Sequence, residues 1–139
     1  MEPAVIPREA IRFAGYAGLF GIPDASRDII RPGAFAATLA ARTQPLPLLW
    51  QHRPDQPIGV VESIAEDCRG LRVVARIDRI TSRAAAMLLA KAVNGLSFGY
   101  RARAARYSDE GRELIAIDLF EVSLVTHPLQ FGARVHLIT

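Results

Sequence analysis

His52, Ser97 and Glu121 supply an imidazole, a hydroxyl and a carboxylate, three groups that together can carry out acyl transfer. Each sits among apolar neighbours. His52 closes the run Leu46-Pro47-Leu48-Leu49-Trp50-Gln51, Ser97 lies in Gly95-Leu96-Ser97-Phe98-Gly99-Tyr100, and Glu121 interrupts Asp118-Leu119-Phe120-Glu121-Val122-Ser123-Leu124-Val125. A polar group in an apolar strand costs stability unless it is hydrogen-bonded, and a charge costs more. One geometry in which the three satisfy each other would explain all three placements. His52 would take the Ser97 proton, Ser97 would attack a peptide carbonyl, and Glu121 would hold the imidazole tautomer and stabilise the imidazolium. The chain order His, Ser, acid matches none of the three familiar orders, so geometry must decide.

Each residue also has a plainer reading. Ser97 is a serine at a strand start after a helix cap, Glu121 a partner for one of many arginines, and His52 a structural histidine after Trp-Gln. Oxyanion donors are expected among backbone amides, with Gly132, Ala133 and Arg134 as candidates. Gly99 leaves bare backbone beside the Ser97 hydroxyl, room that a substrate chain would need.

The elements that would position these groups are mostly strands. Ile11 to Phe20 reads as a first strand, and Gly21 to Pro32 as a turn-rich loop before a short helix over Ala34 to Ala41. Leu46 to Gln51 is a strand-length apolar run, followed by a loop through Arg53-Pro54-Asp55-Gln56-Pro57. Ile58 to Ala65 and Leu71 to Ile77 form a hairpin, the second strand with Leu71, Val73, Ala75 and Ile77 on one face. Thr81 to Val93 is the clearest helix, with Thr81 or Ser82 as N-cap and Asn94-Gly95 as its stop. Leu96 to Tyr107 and Arg112 to Val125 pair across Ser108-Asp109-Glu110-Gly111. The fold class is therefore mainly β with flanking α: an antiparallel β-barrel of about six or seven strands with two main helices.

Composition narrows the classes. The 139 residues suit one domain, 1–139, and 50% hydrophobic with 22% charged residues is the balance of an ordinary soluble globule. No apolar stretch is long enough to cross a bilayer, and the N-terminus lacks the apolar core of a secretory signal, so a cytoplasmic protein is expected. Cys68 stands alone between acidic neighbours and arginine, which excludes an internal disulfide and disfavours a thiolate nucleophile. His52, His127 and His136 form no metal spacing, and no cofactor is called for. The net charge of +3 is carried almost entirely by arginine, spread along the chain. Only Arg101, Arg103 and Arg106 hint at a basic stripe, and strand alternation puts Arg101 and Arg103 on one solvated face. No specific nucleic-acid binding is expected.

Together these segments resemble the prohead serine proteases of tailed bacteriophages, a family similar to the assemblin proteases of herpesviruses. The resemblance runs through Phe20-Gly21 to Phe35, Leu48-Leu49-Trp50-Gln51-His52 with Pro57-Ile58-Gly59, the Ser97 block, and Leu119 to Thr126 with Pro128. It implies an assemblin-like fold and a capsid maturation endopeptidase with His52, Ser97 and Glu121 as its catalytic set. It implies that the enzyme works inside the assembling procapsid, in the host cytoplasm. Its substrates would be the major capsid protein, scaffold segments and its own chain, and a homo-oligomer is compatible with it. Assemblin-like enzymes use a second histidine as third member, which makes His127 the rival to Glu121, although strand register favours Glu121. The chain stops soon after the last block, so no long docking extension is expected from it. The reading from another class is a catalytically silent assembly or scaffold-binding protein on the same fold.

Overall fold

Alternating apolar positions build most of the molecule into strands, described for residues 10–139 in a computed structural model. In chain order these are β1 (Ile11–Leu19), β2 (Asp28–Ile30), helix α1 (Ala36–Ala41), β3 (Pro47–Trp50), β4 (Arg53–Glu66), β5 (Gly70–Ile77), helix α2 (Arg83–Leu89), β6 (Gly95–Ser108), β7 (Gly111–Val125) and β8 (Val135–Ile138). One curled sheet holds all eight strands. β7 pairs along its length with β6, and its other edge is shared by β2 and β3; beyond β3 the order runs β4, β5, β1, β8.

Two expectations are corrected. The sheet has eight strands rather than six or seven, and it is mixed: β2 and β3 both run parallel to β7. The reason lies in the length of β7. Its fifteen residues offer more edge than any one short strand can cover. Asp28–Ile30 pairs with Arg112–Leu114 and Leu48–Trp50 pairs with Val122–Leu124. Between them Arg31 N donates to the Leu114 carbonyl, Ile117 N to the Ala34 carbonyl, and Leu119 N to Thr38 Oγ1. The edge is thus satisfied nearly end to end, as buried backbone requires.

The sheet's two ends are stitched together by residues 133–135. Tyr16 N donates to the Arg134 carbonyl at 3.2 Å, Leu96 N to the Ala133 carbonyl at 2.9 Å, and Val135 N to the Asn94 carbonyl at 2.9 Å. Inside the curl, Leu71, Val73, Ala75 and Ile77 are fully buried on the expected face of β5, against Leu96, Val122 and Leu124. Phe35 and Leu88, from the helical segments, complete this core. Burying each such aliphatic side chain contributes roughly 1.5–3 kcal/mol.

Smaller departures have local causes. β4 begins at Arg53, where a loop was expected. Pro54 and Pro57 are tolerated because β5 joins β4 only from Gly59 onward, which leaves an open edge beside them. Ser82 caps α2 as expected, accepting from Ala85 N at 3.2 Å. The helix stops at Ala90, short of Val93, because Lys91 adopts a left-handed φ of 60°. α1 has no side-chain cap of its own. The Glu66 carboxylate accepts from Gly33 N at 2.7 Å and Phe35 N at 2.9 Å instead.

β2 is pinned by charge. Arg112 donates from Nε and Nη2 to the two Asp28 oxygens, each at 2.9 Å, and the Tyr100 hydroxyl donates to Asp28 Oδ2 at 2.9 Å. The Arg112 guanidinium holds the Asp28 carboxyl below its usual range. Burial, then the bond to Asp28, pushes the Tyr100 phenol up to about 12. The signs follow from linkage. The Asp28 contribution is present above the ordinary carboxylate range and is lost as pH falls through its lowered value. The Tyr100 contribution is present below about pH 10 and is lost as pH rises towards 12. Arg112→Met is therefore expected to destabilise the protein by about 2 kcal/mol at pH 7. In urea unfolding, that deficit should shrink as pH is lowered to 3. A deficit independent of pH would contradict the assignment.

Candidate active site

His52 stands at a turn rather than at the mouth of a loop. Trp50 pairs with Arg53, and the two residues between them, Gln51 and His52, have φ of 53° and 60°. Two left-handed residues make the kind of two-residue hairpin that usually carries Asn-Gly, and for residues with a Cβ each costs about 1–2 kcal/mol. The surroundings hold it. Gln51 Nε2 donates to Thr126 Oγ1 at 2.6 Å, Thr126 N donates back to Gln51 Oε1 at 3.1 Å, and Gln51 N donates to the Leu124 carbonyl at 3.0 Å. Strained backbone held by its neighbours is a common feature of functional sites.

The turn delivers the imidazole to Glu121. His52 Nδ1 lies 2.5 Å from Glu121 Oε1. Glu121 Oε2 accepts from the Ser123 hydroxyl at 2.5 Å, and Ser123 Oγ in turn accepts from His52 N at 3.1 Å. The carboxylate, 9% exposed in the middle of β7, is thus held by an imidazole and a hydroxyl. Ser123 fixes both the acid and the backbone of the histidine. It is the residue of the candidate site that sequence reasoning missed, although alternation already put it on the Glu121 face. The signal was the pair Glu-x-Ser in a strand, two polar groups with no exit to solvent.

Ser97 lies on the same face of the sheet. In the β6–β7 register Ser97 pairs with Ser123 and Gly99 with Glu121. Directly paired residues project to one side, so Ser97, Ser123 and Glu121 share a surface opposite the core residues Leu96, Val122 and Leu124. The two serines differ in their bonding. Ser123 is fully buried with its oxygen engaged twice, whereas the Ser97 hydroxyl makes no hydrogen bond among the described residues. A free hydroxyl is the one able to attack.

The structure does not close the third link. Ser97 is on β6 and His52 follows β3, with β7 between them, so two strand spacings, about 10 Å, separate their backbones. The His52 side chain is 42% exposed, and its Nε2 makes no bond among the described residues. His127 is exposed and lines the cavity beside the turn, without a hydrogen bond to His52 or Glu121. The carboxylate, not the second histidine, holds the imidazole.

The oxyanion candidates separate. A Cβ on Gly99 would sit 2.5 Å from Glu121 Oε1, so the bare backbone there makes room for the acid. The Ala133 amide donates to the Gln130 carbonyl at 3.1 Å and is not free. Gly132 and Arg134 remain, in the segment that reaches β6 next to Ser97. The basic residues of β6 are answered locally: Arg101 and Arg103 by Asp118, Arg106 by Glu113. Among the described residues no cluster of His, Cys, Asp and Glu could hold a metal, and no helix is long and apolar enough to cross a membrane.

A curled β-sheet with a buried carboxylate on an imidazole and a free serine on the same face has the parts of a serine peptidase. The chain belongs to the caudovirus prohead serine protease family, whose model matches residues 4–139. It is 35% identical over 123 residues to the prohead protease of Enterobacteria phage HK97, covering 84% of this chain and 55% of that protein. It is 27% identical over 124 residues to a capsid polyprotein of Pseudomonas phage PAJU2, covering 81% of this chain and 18% of that one. The chain thus spans about half the length of the first relative and about a fifth of the second. Among solved structures its fold is similar to varicella-zoster virus protease, with TM-score 0.63 and 20% identity over 92% of this chain and 64% of that chain. It is equally similar to KSHV protease bound to a hexapeptide phosphonate, with TM-score 0.65 and 16% identity over 94% and 65%. The assemblin-like fold is therefore present at low identity.

Ser123→Ala leaves a Glu121 oxygen and the His52 amide without their partner, which should cost about 1–3 kcal/mol. Proton NMR should show the far-downfield Nδ1–H signal of a carboxylate-bonded imidazole in the parent protein, and show it weakened or lost in this variant. Ser97→Ala should leave that signal in place, because Ser97 is not bonded to the pair.

Proposed function

We propose that this chain is the catalytic part of a serine endopeptidase of phage capsid maturation. Ser97 serves as nucleophile, His52 as general base and acid, and Glu121 as the residue orienting the imidazole. One observation carries this reading: the 2.5 Å contact of His52 Nδ1 with a buried Glu121 carboxylate, beside a serine with an unbonded hydroxyl. With Nδ1–H committed to Glu121, the neutral imidazole presents Nε2 as its free base. Nε2 takes the Ser97 proton as Oγ bonds to the substrate carbonyl carbon. It then returns that proton to the amine nitrogen as the peptide C–N bond breaks, leaving an acyl-serine. Water, deprotonated by the same nitrogen, releases the acid product and restores the hydroxyl. Glu121 stabilises the imidazolium in each half-reaction without itself taking the proton. Catalysis requires the His52 ring to reach across β7 to Ser97, a contact that free enzymes often tighten only with substrate bound.

Family membership supports the reading of substrate and setting. The substrates are capsid-protein and scaffold segments, the enzyme's own chain among them, cleaved inside the procapsid. Similarity to part of a capsid polyprotein supports a close genetic link between such a domain and capsid protein. The single-domain reading of 1–139 and a homo-oligomer in the particle belong to the same proposal.

Co-expression with the cognate major capsid protein tests the whole. Ser97→Ala should reduce capsid-protein shortening by about 10³-fold or more, and Glu121→Gln by about 10⁴-fold, with both proteins folded by circular dichroism. A fluorophosphonate probe should label the parent protein and not Ser97→Ala. Shortening that persists in Ser97→Ala would reject the protease assignment and favour the silent assembly module.

A further inference from the structure

An open cavity of about 740 Å³ lies beside the His52 turn, lined among others by Trp50, Gln51, Arg53, Ile58, Arg83 and Met87. Gln51 and Arg53 are the chain neighbours of His52 itself, so the cavity begins one residue from the proposed base. No carboxylate lines it. Seven of the described arginines face an acid, as Arg112 with Asp28 and Arg101 with Asp118, and others, Arg42, Arg72 and Arg79 among them, do not. What sets this site apart is that two unpaired ones line a single cavity. Arg53 and Arg83 have no ion-pair partner among the described residues. Two unanswered guanidinium groups in one concave site raise its potential and favour an anion. Both are exposed, which keeps the interaction open to substrate and sensitive to salt. Trp50, Ile58, Met87 and Ala84 add an apolar lining that fits the methylenes of a short side chain.

We infer that this cavity is a substrate subsite that takes an acidic side chain, Asp or Glu, close to the scissile bond. The inference rests on the protease reading above and names the substrate chemistry that goes with it. An extended peptide places successive residues about 3.3 Å apart. Ser97 and the cavity are joined by the His52 turn, about 10 Å from the Ser97 backbone. A substrate side chain about three residues from the carbonyl attacked by Ser97 would come to the cavity at its Arg53 rim, around the end of the sheet from Ser97. Guanidinium groups are suited to such a ligand, because their paired N–H donors match the two oxygens of a carboxylate. His127, at the same wall, supplies a further ring nitrogen. The histidine set aside as third catalytic member thereby has a place in recognition.

Trp50 is the single tryptophan of the chain, so its fluorescence reports on this cavity alone. With the inactive Ser97→Ala protein, a blocked Glu-containing tetrapeptide should shift that fluorescence and bind about tenfold more tightly than its Gln isostere. The preference should weaken with salt. It should vanish in the added Arg53→Gln/Arg83→Gln background, where the stems remain and the charges are gone. Equal affinities, or a preference that survives loss of both arginines, would overturn the subsite. Cleavage of a proteome-derived peptide library by the parent protein gives the second readout. Acidic residues should be enriched at a fixed distance from the cut, and the double arginine variant should lose the enrichment. Ser97-dependent cleavage without such enrichment would sink the inference while leaving the protease intact. Charge-selective binding with no Ser97-dependent cleavage would instead count against the protease reading, not against the cavity's preference for acids.

Discussion

Burying the Glu121 carboxylate in the middle of a strand is the constraint around which this molecule is arranged. An ionised acid there is tolerable only with donors at hand. The structure supplies two, the His52 ring at 2.5 Å and the Ser123 hydroxyl at 2.5 Å. Gly99 clears the space opposite, where a single methyl would collide with the carboxylate. Bringing the imidazole to that point requires β3 beside β7 and then an abrupt turn through two left-handed residues. The Gln51–Thr126 pair and the hydrogen bond from the His52 backbone N–H to Ser123 Oγ hold the turn in that unfavourable shape. Acid, base and strained backbone form one hydrogen-bonded unit. The same unit presents the free imidazole nitrogen away from the acid.

The length of β7 sets the rest of the site. Its two edges carry different tasks: β6 brings Ser97 along one, and β3 brings His52 along the other. The proposed nucleophile and base are therefore related through the strand that carries Glu121. Motion of the β6 edge alone would change their separation without disturbing the His52–Glu121 bond. The fold shared with the herpesvirus proteases at 16–20% identity shows how little sequence is needed to specify this curl. The requirement is alternation of apolar residues on long strands, which many sequences satisfy.

Arginine is used here in the plane of the sheet. Arg112 ties β2 to β7 through Asp28, Glu113 takes Arg31 and Arg106, and Asp118 takes Arg101 and Arg103. Glu113 and Asp118 are held below the usual carboxylate range by these neighbours. The arginines of β6 and β7 thus form local pairs between strands.

The strands and the polar residues that stand out in them were legible in the sequence, because alternation and the cost of a buried charge are local properties. The alternating face of β5, the β6–β7 hairpin and the Ser82 cap could be read that way. So could the suspicion attached to His52, Ser97 and Glu121. β2 was hidden: three residues among turn formers, meaningful only beside Arg112–Leu114 some eighty positions later. The parallel pairings were hidden too, since nothing local in Pro47–Trp50 says which way its neighbour runs. Ser123 was visible as a residue but not as a bridge, and Gly99 as a gap but not as the space for a carboxylate. The amino-acid sequence by itself determined which groups had to find partners. Only the tertiary structure decided which partners they found, because hydrogen bonds and ion pairs form between atoms that distant stretches of chain bring within 3 Å of each other.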